Sequence, residues 1–394
     1  MEKQSINESV KPQPGIIAFT NPYRLVLKDN DDEWAPSLED INKSTYDYVK
    51  LNRVSTSFDI GLPYPLHLLV GFDGSLVIPA IEEYTSNEKA IESFNQLLGE
   101  MLFGGVYFEP IKPGDLSRCL LFETGYVRSI GFPYNPNARF HTELRSRLAS
   151  SYNSIVLIDP PRITALEMHE SRKKGERICS TITNFSVSFA LHGLSSYISH
   201  HWANALSNFW IGVEQVISYL WEREIIHGGK QPSISLSGRR EFLNDTRSWT
   251  TSTQIEMLYQ LSVIDQQSYQ HLSRARKARN RLVHNGEIPS RGNTDKSFQA
   301  LFRLISLCVS DRSDSLSGTM NRYRSIDPIS RFDLETTPRT YSTEEVKYWR
   351  KGPPPIPGES DWGDNEYEEP EGHMIEVEST KKPSEKNDSN SNSS

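Results

Sequence analysis

Residues 207–222 read SNFWIGVEQVISYLWE, and their large apolar side chains recur every three or four positions. That spacing is typical of an α-helix with one buried face, and it extends on both sides to predict a helix over about 202–224. Tryptophans and large aliphatic residues in such a pattern are typical of a protein core. We therefore expect other helices to pack around this one.

The sequence around this helix, from 161 to about 335, is also predicted to be helical. Residues 163–198 contain no proline, and their interior breaks are Gly175 and Gly193. Asp265 is a suitable N-cap and Gly286 a suitable stop for one of the later helices. Those later helices are predicted over 239–245, 253–261, 265–284 and 298–308.

The first 160 residues have a different pattern. Short apolar runs predict strands at 16–19, 23–27, 66–70, 76–78 and 154–158. The turn signal Gly-Phe-Asp-Gly at 71–74 separates two of them. Residues 87–103 repeat at the helical period, with Ser86 as a cap and Gly104-Gly105 as the stop. We expect a flexible leader over 1–14 and a mixed α+β domain over 15–160.

The end of the chain is predicted to be a disordered acidic tail over 336–394. It contains GPPP at 352–355, a run of acidic residues, and the terminal sequence KNDSNSNSS. Few apolar groups among many charges and prolines cannot offset the entropy lost on ordering. The predicted fold class is α+β: a mixed N-terminal domain, an all-α helical domain over 161–335, and this tail.

Composition narrows the possible functions. The formal charge of −8 argues against a chain that coats nucleic acid over its whole surface, although a local basic site remains possible. Cys119, Cys179 and Cys308 lie far apart, so neither a disulfide framework nor a cysteine zinc site is expected. His200 and His201 point to different sides of a helix, so we expect no metal.

With no apolar N-terminal segment or membrane span, a cytoplasmic location is expected.

The most unusual stretch of the sequence is 274–284, RARKARNRLVH. It holds five cations and one histidine and no acidic residue. On a helix Asn280 and His284 share a face, whereas Arg279 and His284 point about 140° apart. A solvated helix face is the ordinary explanation of such a cluster.

These residue types together also suit the cleavage of RNA without a metal. A histidine can exchange a proton with the 2′-OH or the leaving 5′-oxygen near neutral pH. An arginine can hold the phosphate while negative charge builds on it. An amide such as Asn280 can orient the imidazole or donate to the phosphate.

Residues 279–284, RNRLVH, match the R-polar-x-x-x-H signature of the HEPN superfamily, and the chain resembles that family over about 200–310. HEPN domains are small helical bundles with this motif near the start or end of a late helix. An earlier helix carries an acidic residue that faces the site, and 207–222 resembles that helix, with Glu214 as its acid. The whole looks most like the ApeA-like branch of bacterial defence proteins, in which a separate N-terminal domain precedes the HEPN unit.

The resemblance implies a metal-independent RNA endonuclease, a toxin or abortive-infection effector of anti-phage defence, with no cofactor. It implies a homodimer, because HEPN ribonucleases pair two motifs in one cleft. The N-terminal domain would be regulatory and would sense a phage-derived or protein trigger. The implied catalytic residues are Arg279, Asn280, His284 and Glu214, and the residues expected to bind RNA phosphates are Arg274, Arg276, Lys277 and Arg281.

Two alternatives stay open. In the first, the protein is a catalytically silent HEPN-fold module that recognises RNA or a protein partner. In the second, it is an unrelated helical scaffold in which the motif is accidental. For Glu214 a structural ion pair, with Arg279 as one candidate partner, competes with a catalytic role.

Overall fold

The computed structural model describes residues 11–29, 32–63, 65–81, 86–131, 133–227, 238–309 and 315–326. Within them the fold is α+β, with the strands in the first half and helices dominating the second, as predicted. The strands are β1 (Gln13–Ala18), β2 (Leu25–Leu27), β3 (Val54–Phe58), β4 (Leu68–Gly71), β5 (Leu76–Pro79), β6 (Leu116–Leu121), β7 (Val127–Ile130) and β8 (Arg162–Thr164). The helices are α1 (Leu38–Asn42), α2 (Tyr48–Leu51), α3 (Asn87–Phe103), α4 (Pro136–Ser146), α5 (Ser151–Ser154), α6 (Ala165–Thr181), α7 (Val187–Ile198), α8 (Trp202–Trp221), α9 (Arg239–Asn244), α10 (Thr251–Gln260), α11 (Gln266–Asn285), α12 (Arg291–Cys308) and α13 (Ser315–Arg324).

Six of the strands form one antiparallel sheet in the order β3-β4-β5-β1-β6-β7, and β2 pairs with β8 in parallel. The turn predicted at 71–74 joins β4 to β5, with Gly74 in the left-handed region at φ +81°. β1 begins at Gln13, so the predicted leader extends two residues into the sheet. Its first ten residues lie outside the described part of the chain.

The strand predicted at 154–158 is wrong. Residues 151–154 form α5 and Ile155–Leu157 continue as a 3-10 turn. Ser150 caps this segment by accepting a hydrogen bond from the Asn153 N–H. Ser154 and Leu157 are buried while Ile155 is exposed, which is a helical spacing of buried positions and not the two-residue alternation of a strand.

Helix α3 has the bounds that the sequence predicts. The Ser86 hydroxyl accepts from the Lys89 N–H, and the helix ends at Gly104. Its buried face belongs to a hydrophobic core that includes residues of β1 and β5 as well as of α6, α7, α8 and α12. Helix α3 therefore connects the sheet to the helical half of the molecule.

Gly175 and Gly193 do not break helices, contrary to the prediction. Gly175 lies inside α6, where an added Cβ would be 2.2 Å from the Glu100 carbonyl oxygen of α3. Gly193 lies inside α7, where a Cβ would be 2.6 Å from the ring of Phe209 on α8. Both glycines permit close helix crossings, and the break between α6 and α7 falls at 182–186.

Helix α8 is the centre of a helical bundle and packs against α7, α10, α11 and α12. Phe209 of α8 stacks on Phe298 of α12, with ring centroids 5.0 Å apart. Helix α12 begins at Arg291, seven residues before the predicted start at 298, because the Ser290 hydroxyl caps it. The helices predicted over 202–224, 239–245, 253–261 and 265–284 are confirmed as α8, α9, α10 and α11, with shifts at their ends.

One core extends across the proposed domain boundary at 160, and the described residues group into one compact unit. The tail predicted over 336–394 lies outside the described residues. No helix in the described part of the chain is both long enough and apolar enough to cross a membrane.

The helix crossing at Gly175 predicts a specific difference between two glycine substitutions. Gly175→Ala should lower the free energy of unfolding by about 1–3 kcal/mol, because the new methyl group meets backbone atoms that cannot move aside. Gly318→Ala is the matched control, since Gly318 lies within α13 with open space at its Cβ. It should be neutral or stabilising by up to about 1 kcal/mol. Urea unfolding measures both values, and equal effects would contradict the close packing.

Candidate active site

Helix α11 carries the sequence motif and is unbroken over its 20 residues. The Asp265 carboxylate accepts from the Ser268 N–H at 2.7 Å and caps its start. Gly286, at φ +69°, ends it, and its N–H bonds to the carbonyls of Arg281 and Leu282. The cap and the stop predicted from the sequence are both confirmed.

One face of α11 is anchored in the bundle. Leu272, Ala275 and Ala278 are almost fully buried, and the helix packs on α12 and α8. Small alanine side chains allow close packing on this face, and His271 of the same helix is buried as well. Of the predicted phosphate-binding cations, Arg274, Lys277 and Arg281 are exposed and Arg276 is half-buried.

The three motif residues lie on the outer sides of this helix. Arg279 and Asn280 are half-buried, and the Arg279 Nη1 donates to the Asn280 Oδ1 at a long 3.4 Å. His284 is exposed in the last turn. Because the helix is continuous, Asn280 and His284 share a face, whereas Arg279 and His284 diverge by about 140°. Helix geometry thus groups Asn280 with His284, and Arg279 is linked to this pair through its hydrogen bond with Asn280.

Glu214 lies on α8, which packs against α11, so the predicted earlier helix does adjoin the motif helix. The Glu214 Oε1 accepts a 2.7 Å hydrogen bond from the indole N–H of Trp210, one turn earlier on α8. Among the described contacts its polar partner is therefore Trp210, and not Arg279 as the ion-pair hypothesis had it.

A groove beside the motif holds residues that the sequence reasoning missed. Glu256 of α10 and Tyr269 and Ser273 of α11 line it together with Arg276. Tyr269, Ser273, Arg276 and Asn280 follow one another at three- and four-residue steps, so they lie on one face of α11. That spacing was available in the sequence as a signal, whereas the contribution of α10 depends on tertiary packing.

The described residues include three free cysteines. Burial raises the pKa of the Cys119 and Cys308 thiols to about 12 and that of Cys179 to about 11, so these free cysteines are protonated and poor nucleophiles. No group of three or more His, Cys, Asp or Glu side chains in the same part of the chain is arranged to hold a metal ion.

A second cluster of titratable residues is buried between the sheet and α4. The Asp73 carboxylate lies 3.0 Å from His141 Nδ1 and 3.6 Å from the Arg145 guanidinium, and it accepts from the Ser75 hydroxyl at 2.6 Å. The His141 Nε2 is 2.9 Å from the Thr20 carbonyl oxygen. A carbonyl only accepts, so Nε2 carries a proton and cannot serve as the base of a Ser-His-Asp arrangement.

This cluster therefore ties the fold together, and His141 does not activate the Ser75 hydroxyl. Arg145 also donates to the Asn52 side chain at 2.7 Å and to the Val127 carbonyl at 2.6 Å. Burial raises the pKa of Asp73, but the charge of Arg145 and the hydrogen bond with His141 outweigh it and lower the pKa to about 2. Sequence reasoning did not find it because its members are up to 121 residues apart.

No family model, curated protein or solved structure matches this chain. The resemblance to the HEPN superfamily therefore remains a prediction from the residues of α8 and α11.

The Asp73 cluster predicts how stability depends on pH. The pKa of Asp73 is about 2 in the folded chain against an ordinary value of 3.8, so its stabilisation is complete above about pH 4 and is lost as the pH falls through about 2. That loss is on the order of 2 kcal/mol. Denaturant unfolding at several pH values should show a smaller acid-dependent loss for Asp73→Asn, which is already destabilised at neutral pH. Glu123→Gln, at an exposed position, should follow the wild type; parallel curves for all three proteins would contradict the role of Asp73.

Proposed function

We propose that this protein is a metal-independent HEPN-type endoribonuclease that acts through α11 as an effector of anti-phage defence. The observation that carries the proposal is the division of α11 into two sides. One side is buried in the bundle, and the rest of the helix surface carries half-buried Arg279 and Asn280 and exposed His284 among cations that face solvent. A rigid helix that displays a histidine and several arginines suits a polyanionic substrate.

The motif residues have distinct roles in the proposed reaction. His284 accepts the proton of the RNA 2′-OH or donates one to the leaving 5′-oxygen. The 2′-oxygen bonds to phosphorus as the bond to the 5′-oxygen breaks, which leaves a 2′,3′-cyclic phosphate and a 5′-hydroxyl. Arg279 stabilises the phosphate charge, and Asn280, on the face of His284, orients the imidazole or the phosphate. Glu214 lies on α8, which packs against α11, and it is the acidic residue that the resemblance assigns to the site.

The cations around the motif extend the site along the RNA. Arg274, Lys277 and Arg281 are exposed, and each can contact a phosphate outside the cleaved linkage. Arg281 lies 3.1 Å from Glu287, an exposed pair that a phosphate can displace at little cost.

A homodimer completes the proposed site. Arg279 and His284 diverge on one straight helix, so a second copy brings an arginine opposite a histidine more easily than one chain does. Val283 and Ile288, which flank His284, are 56% and 75% exposed, and such apolar side chains beside a charged motif suit a contact between two copies. RNA phosphate would lie between the facing arginines.

A second candidate is a catalytically silent HEPN-type module that binds RNA or a protein partner. The separation of Arg279 from His284 around a single helix favours it, because one chain then holds no assembled catalytic pair. Under either candidate the α+β part is the proposed sensor of a phage-derived or protein trigger, in the cytoplasm.

The enzyme and the silent module differ in one direct assay. Purified wild-type protein should cleave RNA in EDTA, leave DNA intact, and produce cyclic phosphate ends. His284→Ala should lower the rate at least about 100-fold, the usual contribution of a general acid or base. Gln270→Ala, exposed on the same helix, is the matched control and should cleave at the wild-type rate.

The opposing outcomes are equally clear. Cleavage that EDTA abolishes and magnesium restores would overturn the mechanism. Intact RNA with both wild type and His284→Ala, together with RNA binding by both, would favour the silent module.

The homodimer is tested by mass in solution and by complementation. Wild-type protein should have twice the mass of one chain, and Val283→Asp should shift it toward a monomer with reduced cleavage. Mixing inactive Arg279→Ala with inactive His284→Ala should restore partial activity, because one of the two composite sites then has an intact pair. A monomer that cleaves at the full wild-type rate would refute the shared site.

A further inference from the structure

The groove next to the motif has the size and lining of a binding site. It encloses about 300 Å³ between α10 and α11. Ser252, Thr253 and Glu256 line it from α10, and Tyr269, Ser273 and Arg276 line it from α11. With Ile255, this set combines a cation, a carboxylate, a phenol ring, three aliphatic hydroxyl groups and an apolar side chain, which is more varied than a solvated helix face requires.

The groove residues of α11 lie on the same face of the helix as part of the motif. Tyr269, Ser273 and Arg276 lie on the same face of α11 as Asn280, and Asn280 in turn shares a face with His284. At 1.5 Å per residue Arg276 is about 6 Å along the axis from Asn280, and Tyr269 is about 10 Å further. A chain bound at the motif would therefore meet Arg276 first and Tyr269 next.

The two ends of the groove differ in charge. Arg276 lies at the end nearest the motif, and Glu256 lies at the far end. The Glu256 Oε1 accepts a 3.3 Å hydrogen bond from the Gln260 amide, and its Oε2 accepts one of 2.7 Å from the Tyr269 hydroxyl. That hydrogen bond lowers the pKa of Glu256, so the carboxylate is ionised at neutral pH. A phosphate is attracted at the Arg276 end and repelled at the Glu256 end, which orients any nucleotide in the groove.

The far end suits a base with hydrogen-bond donors. Tyr259 stacks on one side of the Tyr269 ring, with centroids 4.5 Å apart, which holds the ring in place. Tyr259 does not line the groove, so Tyr269 meets a ligand with its remaining face or edge. Glu256 only accepts hydrogen bonds, and guanine alone among the RNA bases presents two adjacent N–H groups, N1–H and N2–H, on its Watson–Crick edge.

We propose that this groove binds a guanine nucleotide of the RNA, with its phosphate at Arg276, its base against Tyr269, and its N1–H and N2–H donated to Glu256. The proposal rests on the proposed function, since it supposes that RNA lies along α11, and it adds a base preference to that site. Uracil offers one ring N–H and adenine and cytosine offer only an amino group, so each satisfies the carboxylate less well.

Binding tests the groove separately from cleavage. Nine-residue uridine oligonucleotides, either unsubstituted or with one central guanosine, adenosine or cytidine, are titrated into full-length His284→Ala protein, and fluorescence anisotropy is measured. The guanosine oligonucleotide should bind about tenfold more tightly than the others, a factor in the usual range for one base contact. Glu256→Gln should reduce this preference to less than about twofold, because the amide oxygen alone accepts and cannot take both guanine N–H groups as the carboxylate does. Glu241→Gln, an exposed acidic position on α9, is the matched control and should keep the preference.

The outcomes separate the two proposals. RNA cleavage by the wild type with the same base preference in Glu256→Gln would overturn the guanine site and leave the ribonuclease standing. A guanine preference lost in Glu256→Gln, without cleavage by the wild type, would support the groove in a silent RNA-binding module. Absence of RNA binding by wild type and His284→Ala alike would overturn both.

Discussion

The close crossing of α3 and α6 is the contact on which the rest of the molecule depends. At this crossing Gly175 lies against the backbone of Glu100, and Gly104 lies against Ser171. The absence of side chains there lets polar groups reach across: the Ser171 hydroxyl donates to the Met101 carbonyl, and Arg172 pairs with Glu100 at 3.0 Å. Helix α3 also covers the sheet, so this contact joins the strands to the helices in one core.

A series of helix packing contacts connects that core to the motif helix α11. Helix α7 packs on α8 where Gly193 admits the Phe209 ring, and Phe209 stacks on Phe298 of α12. Helices α8 and α12 then bury Leu272, Ala275 and Ala278 of α11. The cations of α11 are thus carried by a helix that is packed on α8 and α12. A site that positions phosphates needs such a rigid scaffold.

The outer side of α11 combines cations that can attract a polyanion with polar and aromatic side chains that can contact a nucleotide. Near its end lie Asn280 and His284. Arg276 lies about one turn before Asn280 and Tyr269 about three turns before it, both beside α10. A polyanion laid along this face would meet the cations at spacings set by the helix rise. On this continuous helix Arg279 and His284 point about 140° apart, which separates the two side chains of the proposed catalytic pair. In the proposed enzyme a second copy of the chain therefore completes the catalytic pair. In the proposed silent module no second copy completes it.

Local patterns in the sequence determined much of this protein. The helical period of α3 and α8, the cap at Asp265 and the stop at Gly286 depend on neighbours in the chain, so they were readable without a structure. The same holds for which motif residues share a face of α11. Only the tertiary structure decided that Gly175 and Gly193 mark crossings and not breaks, since their constraint comes from a neighbouring helix. It also decided that 154–158 is not a strand, that Glu214 bonds to Trp210, and that Glu256 reaches Tyr269. The contacts of Glu256 with Tyr269 and of Asp73 with His141 join residues 13 and 68 positions apart, and such partners come together through packing that no local spacing encodes.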